Sequence, residues 1–196
     1  MNHFAHLVLA QPTLHSTVGN LLGDFMRGVA ADALEPAVRR GLDNHRAVDR
    51  FTDQDAGIRA LKVLFSPPRR RFAGVALDIY FDHLLIRHWE QLEDGTAEQQ
   101  IGLSYRRLRL GRAMMPSEKM RRVSTRMVDE DWFGRYGDLE NVGKAMDRVA
   151  SRIRFEHRFD NALEEILQHR ETIRDAFLNF YPRLKTHIGA LDLERP

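Results

Sequence analysis

Two carboxylates stand among apolar residues in the stretch Leu77-Asp78-Ile79-Tyr80-Phe81-Asp82-His83-Leu84-Leu85-Ile86. Asp78 and Asp82 are four residues apart, so a helix would project both from one face, about 40° apart around its axis. The residues flanking that face are apolar, with Phe81, Leu85 and Trp89 on one side and Val75, Ile79 and Ile86 on the other. Carboxylates in such a setting are costly unless a positive charge compensates them. A bound metal ion is the most economical candidate.

Apolar residues recur at helical spacing in most of the chain, and strand-like alternation is scarce. We therefore expect an all-α protein. Breaks at proline and glycine, Pro182 among them, predict helices near residues 16–27, 36–54, 70–92, 96–112, 117–129, 138–154 and 156–179. The last two are expected to form an antiparallel helical pair that packs on the rest. No break resembles an interdomain linker, so residues 1–196 are expected to form one domain.

The amino-acid composition indicates the class of protein and its cellular compartment. The chain has 196 residues, of which 43% are hydrophobic and 30% charged, as in globular proteins with a sizeable core. The absence of cysteine excludes disulfides and thiol chemistry and agrees with a reducing cytosol. The apolar start is short and lacks a basic region, and no run is long enough to span a bilayer. We expect a cytoplasmic protein without a membrane partner.

The segment Gly19-Asn20-Leu21-Leu22-Gly23-Asp24-Phe25 repeats the spacing of the two carboxylates. Asn20 and Asp24 are four residues apart on an otherwise apolar segment. The two glycines permit the close approach of another chain or a ligand. The alternative is that Asp24 pairs with Arg27 or caps a neighbouring helix.

A third instance lies in residues 44–53, where His45 and Asp49 are four residues apart. A His and a carboxylate at this spacing can direct an imidazole nitrogen and a carboxylate oxygen to one metal ion. A solvated helix face with ion pairs between successive turns is the alternative. Three such pairs on three mainly apolar helices favour a site over separate surface features.

The three segments together predict one metal site with oxygen and imidazole ligands. The expected ligands are Asp24, His45, Asp78, Asp82 and His6, although His6 is equally compatible with an ordinary buried polar role. Such ligands suit Mn²⁺ or Mg²⁺, and Fe or Zn less well. An open metal site hydrolyses esters by activating water and neutralising charge on a phosphoryl oxygen. Three roles for His83 stay open, namely reaching the site, acting on the leaving group, or being exposed.

Basic residues are concentrated between residues 105 and 127, where Glu118 is the only acid. The alternative to a functional patch is a pair of solvated helix faces. Such one-sided charge would nevertheless attract a polyanion and speed its encounter. Few aromatic residues interleave with the arginines, so single-stranded nucleic acid is not the expected partner. Arg152 could bind a phosphate, although an ordinary ion pair explains it equally well.

The chain resembles the acyl carrier protein phosphodiesterases, through motifs that follow one another over nearly its whole length. They are Met1-Asn2-His3-Phe4-Ala5-His6-Leu7, Gly19-Asn20-Leu21-Leu22-Gly23-Asp24-Phe25, His45-Arg46-Ala47-Val48-Asp49 with Thr52-Asp53, Asp78 with Asp82-His83, Ala150-Ser151-Arg152 and Phe180-Tyr181-Pro182. The resemblance implies an all-helical domain like that of the HD phosphohydrolases. It also implies a divalent cation, typically Mn²⁺, and removal of the 4′-phosphopantetheine arm from holo acyl carrier protein.

One departure from the wider HD superfamily is clear, because the chain contains no His-Asp dipeptide. Ligands therefore cannot be copied from ordinary HD enzymes. Within the narrower family, the matching positions are Asp24, His45, Asp78, Asp82 and His83.

The resulting hypothesis is metal-dependent hydrolysis of a phosphodiester on an acidic carrier protein. We expect Asp24, Asp49 and His83 to take part in catalysis. Contacts with the substrate or partner are expected from Asn20, Arg46, Arg106, Arg107, Arg109, Arg112 and Arg152. Two alternatives stay open: an HD-type hydrolase acting on a nucleotide, and a non-catalytic helical module that binds an acidic partner.

Overall fold

The computed structural model describes residues 1–195, and this part of the chain contains helices and no strand. The prediction of an all-α protein is therefore confirmed. The α-helices of this part are α1 His3–Val8, α2 Leu14–Leu22, α3 Pro36–Gln54, α4 Ala56–Leu61, α5 Ala73–Arg87, α6 Trp89–Leu92, α7 Ala97–Leu110, α8 Glu118–Asp129, α9 Trp132–Arg135, α10 Leu139–Ala150, α11 Ala162–Gln168 and α12 Arg170–Leu191. Across residues 1–195, no helix is both long and apolar enough to cross a membrane.

Helix starts follow local side-chain chemistry. The side chains of Thr13, Asp55, Ser117 and Asp138 each accept a hydrogen bond from a backbone N–H in the first turn of the helix that follows. At the start of α7, Thr96 and Gln99 form a reciprocal capping box. These contacts satisfy N–H groups that have no partner within the helix.

The C-terminal part differs from the prediction of one helix over residues 156–179. Residues 151–161 are not helical, and α11 is separated from α12 at His169. Pro182, expected to be a break, lies inside α12. The side chains of Phe180, Tyr181 and Leu184 around it are fully buried. Their burial outweighs the cost of about 3 kcal/mol that an internal proline imposes on a helix.

α5 lies at the centre of the fold, where α1, α6, α10, α11 and α12 contact it. Phe81, Leu85 and Trp89 are buried, as the sequence predicts for this flank. The other flank is less uniform, because Ile79 is buried while Val75 is 41% exposed. α5 therefore presents a broad apolar surface to which the shorter helices are attached.

The buried carboxylate of Asp82 fixes α1 on α5. Its two oxygens accept hydrogen bonds from the backbone N–H groups of Phe4, at 3.0 Å, and Ala5, at 2.9 Å. These are free donors at a helix N-terminus, and the carboxyl oxygens complement the positive end of the helix. The Phe4 ring then packs against Trp89 and Phe133, with ring centroids 5.9 and 5.2 Å away.

α2 and α3 approach each other at backbone distance because glycines face one another. A Cβ atom on Gly19 would lie 2.2 Å from the carbonyl oxygen of Val38 and 2.7 Å from the Cα atom of Gly41. The close approach that the sequence predicts at Gly19 is therefore made by a helix of the same chain.

We expect Gly19→Ala to destabilise the protein by about 1–3 kcal/mol, because the added methyl group must push two backbones apart. Gly102→Ala is the matched control, since it lies inside α7 and its Cβ would meet no atom within 4 Å. That variant should be neutral or more stable by up to about 1 kcal/mol. Equilibrium urea unfolding measures both changes, and equal stability of the two variants would contradict the proposed close contact.

Candidate active site

Three side chains from α1 and α3 converge at one point, namely His6, His45 and Asp49. One ligand atom from each lies within 4.8 Å of the others. Asp49 Oδ1 is 3.2 Å from His6 Nε2, and Asp49 Oδ2 is 3.1 Å from His45 Nε2. The two imidazole rings stack with their centroids 3.8 Å apart.

A backbone contact fixes the orientation of His45. Its Nδ1 lies 2.7 Å from the carbonyl oxygen of Asn20. Because a carbonyl only accepts, Nδ1 carries the proton and donates it. In a neutral ring Nε2 then presents a lone pair to Asp49. A lone pair and a carboxylate oxygen repel at this distance unless a cation, or a second proton on the ring, lies between them. The same backbone contact is typical of histidines that bind metals.

The residues present fit a divalent metal ion. Both ring nitrogens of His6 are buried, and neither has a hydrogen-bond partner with proper geometry among residues 1–195. Burial lowers the pKa of His6 to about 4, so the ring is neutral. Burial alone would raise the pKa of Asp49, but the adjacent His45 and His6 hold it far below its ordinary value. Two imidazoles and one ionised carboxylate form a donor set that divalent transition metals prefer.

Two further predicted ligands, Asp24 and Asp78, line a cavity of about 160 Å³ together with Asp49; we call it the carboxylate cavity. The buried α-amino group of Met1 lies 3.0 Å from Asp78 Oδ1 and 3.5 Å from Asp49 Oδ1. His3 Nδ1 lies 2.8 Å from Asp24 Oδ2. The structure thus brings Asp24, Asp49 and Asp78 together, with His6 and His45 against Asp49.

The structure does not bring Asp82 and His83 into this group. Both Asp82 oxygens are occupied by the N–H groups of α1, and burial raises the pKa of this carboxyl to about 7 against the effect of those donors. His83 is buried, and its Nδ1 lies 2.7 Å from the carbonyl oxygen of Tyr136. The expectation of a metal ligand at Asp82 is corrected accordingly. The catalytic role of His83 stays a prediction, because a backbone contact of the same kind orients His45. Helical spacing places Asp82 on the same face as Asp78, but it could not show that α1 covers it.

Asn20 is also buried, which corrects the expectation that it contacts a substrate. Its Nδ2 donates to the carbonyl oxygen of Ser16 and to Glu194 Oε1, both at 3.1 Å. Its Oδ1 accepts from Asn44 at 3.0 Å. Asn20 instead positions His45 through its backbone carbonyl. Arg46 is exposed and pairs with Asp43 at 3.1 Å.

The basic surface, formed by α7, α8 and the segment between them, is connected to Asp24 of the carboxylate cavity through intervening side chains. Within residues 1–195, six of its cations have no carboxylate within 4.0 Å; they are Arg106, Arg107, Arg109, Arg112, Lys119 and Arg122. Lys119 Nζ lies 5.9 Å from the centroid of the Phe25 ring, which in turn stacks on His3 at 6.2 Å. Since His3 contacts Asp24, this edge of the basic surface is close to the carboxylates.

The importance of Gly23 for His45 was not apparent from the sequence. A Cβ atom at Gly23 would lie 2.1 Å from His45 Cδ2 and 2.2 Å from Nε2. The only signal in the sequence is a glycine immediately before Asp24. The glycine makes room for the imidazole, whereas we expected it to admit another chain or a ligand.

A family model described as acyl carrier protein phosphodiesterase matches residues 1–184. The chain belongs to the acyl carrier protein phosphodiesterase family. Its relatives include proteins with that name from Serratia proteamaculans strain 568, 32% identical over 184 residues, and from Escherichia coli O139:H28, 31% identical over 186 residues. Each alignment covers 94% of this chain and 95% of the relative. No solved structure matches the chain, so its likeness to HD phosphohydrolases stays a prediction.

Gly23→Ala should reduce the affinity for Mn²⁺ by about 10–100-fold, the range typical for disturbing the groups that orient a ligand. The added methyl group would displace the His45 imidazole. Gly189→Ala on α12 is the control, because its Cβ would meet nothing within 4 Å. Isothermal titration calorimetry measures the Mn²⁺ affinity of the parent protein and of the two variants. Equal Mn²⁺ affinity in both variants would argue against His45 as a ligand.

The His3–Asp24 pair should make stability depend on pH. Burial lowers the pKa of His3, but Asp24 outweighs it, and the net pKa is raised above 6.5. Burial raises the pKa of Asp24, but His3 outweighs it, and the net pKa lies well below 3.8. The histidine contributes stability that is lost as pH rises through its raised pKa, and the aspartate contributes stability that is lost as pH falls through its lowered one. The contribution of the pair is therefore greatest between about pH 4 and 6.5.

His3→Gln should accordingly lose more stability at pH 5.5 than at pH 9, measured by urea unfolding in EDTA. Asp24→Asn should show the same trend, and the double variant should lose little beyond either single one. A loss that does not vary with pH would rule out the charged pair.

Proposed function

We propose that this protein hydrolyses the phosphodiester that joins 4′-phosphopantetheine to a serine of holo acyl carrier protein. The products are apo acyl carrier protein and 4′-phosphopantetheine. Family membership supports this activity. The observation that carries the proposal is the His6–His45–Asp49 donor set at the edge of the carboxylate cavity. We assign the reaction to the cytoplasm, in accord with a chain that lacks cysteine.

The proposed cofactor is a divalent cation held by His6, His45 and Asp49, with Mn²⁺ preferred and Mg²⁺ as the second choice. When bound, such an ion lowers the pKa of water and neutralises charge on a phosphoryl oxygen. Charge balance supports its presence. The Met1 α-amino group and protonated His3 offset two of the three negative charges of Asp24, Asp49 and Asp78. The remaining negative charge would repel a phosphodiester anion if no further cation compensated it.

The chain's own groups can be given roles in the balanced reaction. The water oxygen bonds to phosphorus, the bond from phosphorus to the serine oxygen breaks, and that oxygen takes up a proton. We assign to Asp24 the orientation of the attacking water, because it lines the cavity and His3 fixes its carboxylate. Asp78 is the second carboxylate available to accept the proton that the water loses. Asp49 is assigned to the metal rather than to proton transfer because both its oxygens face imidazoles.

The protein substrate is proposed to dock on the basic surface of α7 and α8. Acyl carrier proteins are acidic, and cations without partners are free to pair with their carboxylates. Lys119 and Phe25 connect this surface to the His3–Asp24 pair. A carrier protein bound there would present its modified serine next to the carboxylate cavity.

Mass spectrometry of holo acyl carrier protein incubated with the Mn²⁺-loaded protein tests the activity. We expect loss of the phosphopantetheine arm, and at least a 100-fold lower kcat in Asp49→Asn. The double variant Arg106→Glu/Arg109→Glu should raise KM by roughly tenfold with a smaller change in kcat. Arg39→Glu on α3 is the charge control, since this exposed residue lies outside the basic surface.

Two outcomes would overturn this proposal. Hydrolysis of a nucleotide without loss of the phosphopantetheine arm would show that the substrate is a nucleotide rather than holo acyl carrier protein. Full function in Asp49→Asn, combined with loss of function on charge reversal, would indicate a non-catalytic module that binds an acidic partner.

A further inference from the structure

A second cavity, of about 110 Å³, lies beside the carboxylate cavity; we call it the arginine cavity because Arg135, Arg148 and Arg152 line it. His3 also lines the arginine cavity, whereas its partner Asp24 lines the carboxylate cavity. The hydrogen-bonded His3–Asp24 pair therefore forms a wall common to both. A ligand whose phosphate lies at this wall could reach the carboxylates and the arginines together.

The arginine cavity is suited to an anion. Arg135 and Arg152 are exposed, and neither has a carboxylate within 4.0 Å in the described part of the chain. Arg148 Nη1 lies 3.6 Å from Glu130 Oε2, and Trp132 Nε1 donates to the same oxygen at 2.9 Å. Glu130 thus orients both side chains. The planar guanidinium group matches the geometry of phosphate oxygens.

The segment that carries Trp132 and Arg135 is firmly held. It follows Asp131, whose backbone has a positive φ of 49°. Asp131 Oδ1 accepts from the Tyr105 hydroxyl at 3.0 Å and from the Gly134 N–H at 3.2 Å. A non-glycine residue keeps this conformation only when its surroundings enforce it. The cavity wall formed by α9 is therefore preorganised.

The remaining lining is suited to an amide chain rather than to a bare anion. Asn2 Nδ2 is buried and makes no hydrogen bond of full geometry among residues 1–195. Its side chain interacts with the Tyr136 hydroxyl, whose pKa this contact lowers against the effect of burial. A buried donor of this kind calls for an acceptor. Asn141 adds a second carboxamide, while Trp132 and Val149 supply apolar surface. Phosphopantetheine carries a phosphate, a dimethyl-substituted carbon and two amides in succession. The arginines correspond to the phosphate, the apolar side chains to the dimethyl-substituted carbon, and the two carboxamides to the amides.

We infer that the arginine cavity binds the phosphopantetheine arm, with Arg135 and Arg152 facing the phosphate and Asn2 and Asn141 facing the nearer amide. This inference rests on the proposed function. It assigns recognition of the arm to the α9–α10 region, separate from docking of the carrier protein on α7 and α8.

Intrinsic fluorescence of Trp132 provides a direct binding assay. The chain has two tryptophans, and Trp89 is buried in the core. Free 4′-phosphopantetheine, pantetheine and inorganic phosphate are titrated into the full-length protein, with Trp132→Phe to identify the signal. We expect phosphopantetheine to bind most tightly. The double variant Arg135→Gln/Arg152→Gln should weaken it at least about tenfold, with a smaller effect on pantetheine.

Arg39→Gln, at another exposed arginine, serves as the control. Circular dichroism checks that the double variant Arg135→Gln/Arg152→Gln is folded. KM for holo acyl carrier protein should rise in the double variant and stay constant in the control. Unchanged phosphopantetheine affinity and KM in the double variant, while the parent protein still cleaves holo carrier protein, would overturn this inference alone. Equal affinity for inorganic phosphate and phosphopantetheine would also overturn it. Binding at Trp132 without cleavage would instead refute the proposed function.

Discussion

The hydrogen bonds from the first turn of α1 to Asp82 are the constraint on which the site depends. α1 contributes His6 to the candidate metal centre, and its preceding residues contribute Met1 and Asn2 to the two cavities. A six-residue helix has too few internal hydrogen bonds to be stable alone. The buried carboxylate supplies two acceptors, and the Phe4 ring supplies apolar contacts. Asp82 thus holds α1 and its His6 in position although its own side chain does not face the candidate site.

A second constraint is the backbone contact between α2 and α3. Gly19 and Gly41 allow the helices to approach until the carbonyl oxygen of Asn20 meets His45. Gly23 then leaves room for the imidazole itself. Gly19, Gly23 and Gly41 therefore determine the direction in which the imidazole nitrogens of His45 point. Large side chains at these positions would separate the helices and turn the ring away from Asp49.

Much of the fold and part of the site could be predicted from sequence, for identifiable reasons. Helical spacing placed His45 and Asp49 on one face, and the structure brings both together with His6. The prediction from spacing was wrong for Asp82, which accepts hydrogen bonds from the backbone N–H groups of α1. A carboxylate with that role has the same neighbours in sequence as a carboxylate that binds a metal ion. The prediction was wrong again at Pro182, where burial of neighbouring side chains outweighs local preference. Contacts between distant segments, such as His3 with Asp24, leave no periodic signal in the chain.

The attachment of α1 to α5 has a consequence for synthesis of the protein on the ribosome. Residues 3–8 are synthesised more than seventy residues before their acceptor Asp82, and Phe133 follows later still. Chains emerge at only about 5–20 residues per second, so the N-terminal segment must wait for several seconds without a partner. A nascent chain therefore cannot assemble its reactive centre prematurely. Maturation of the site is deferred until most of the helical core exists.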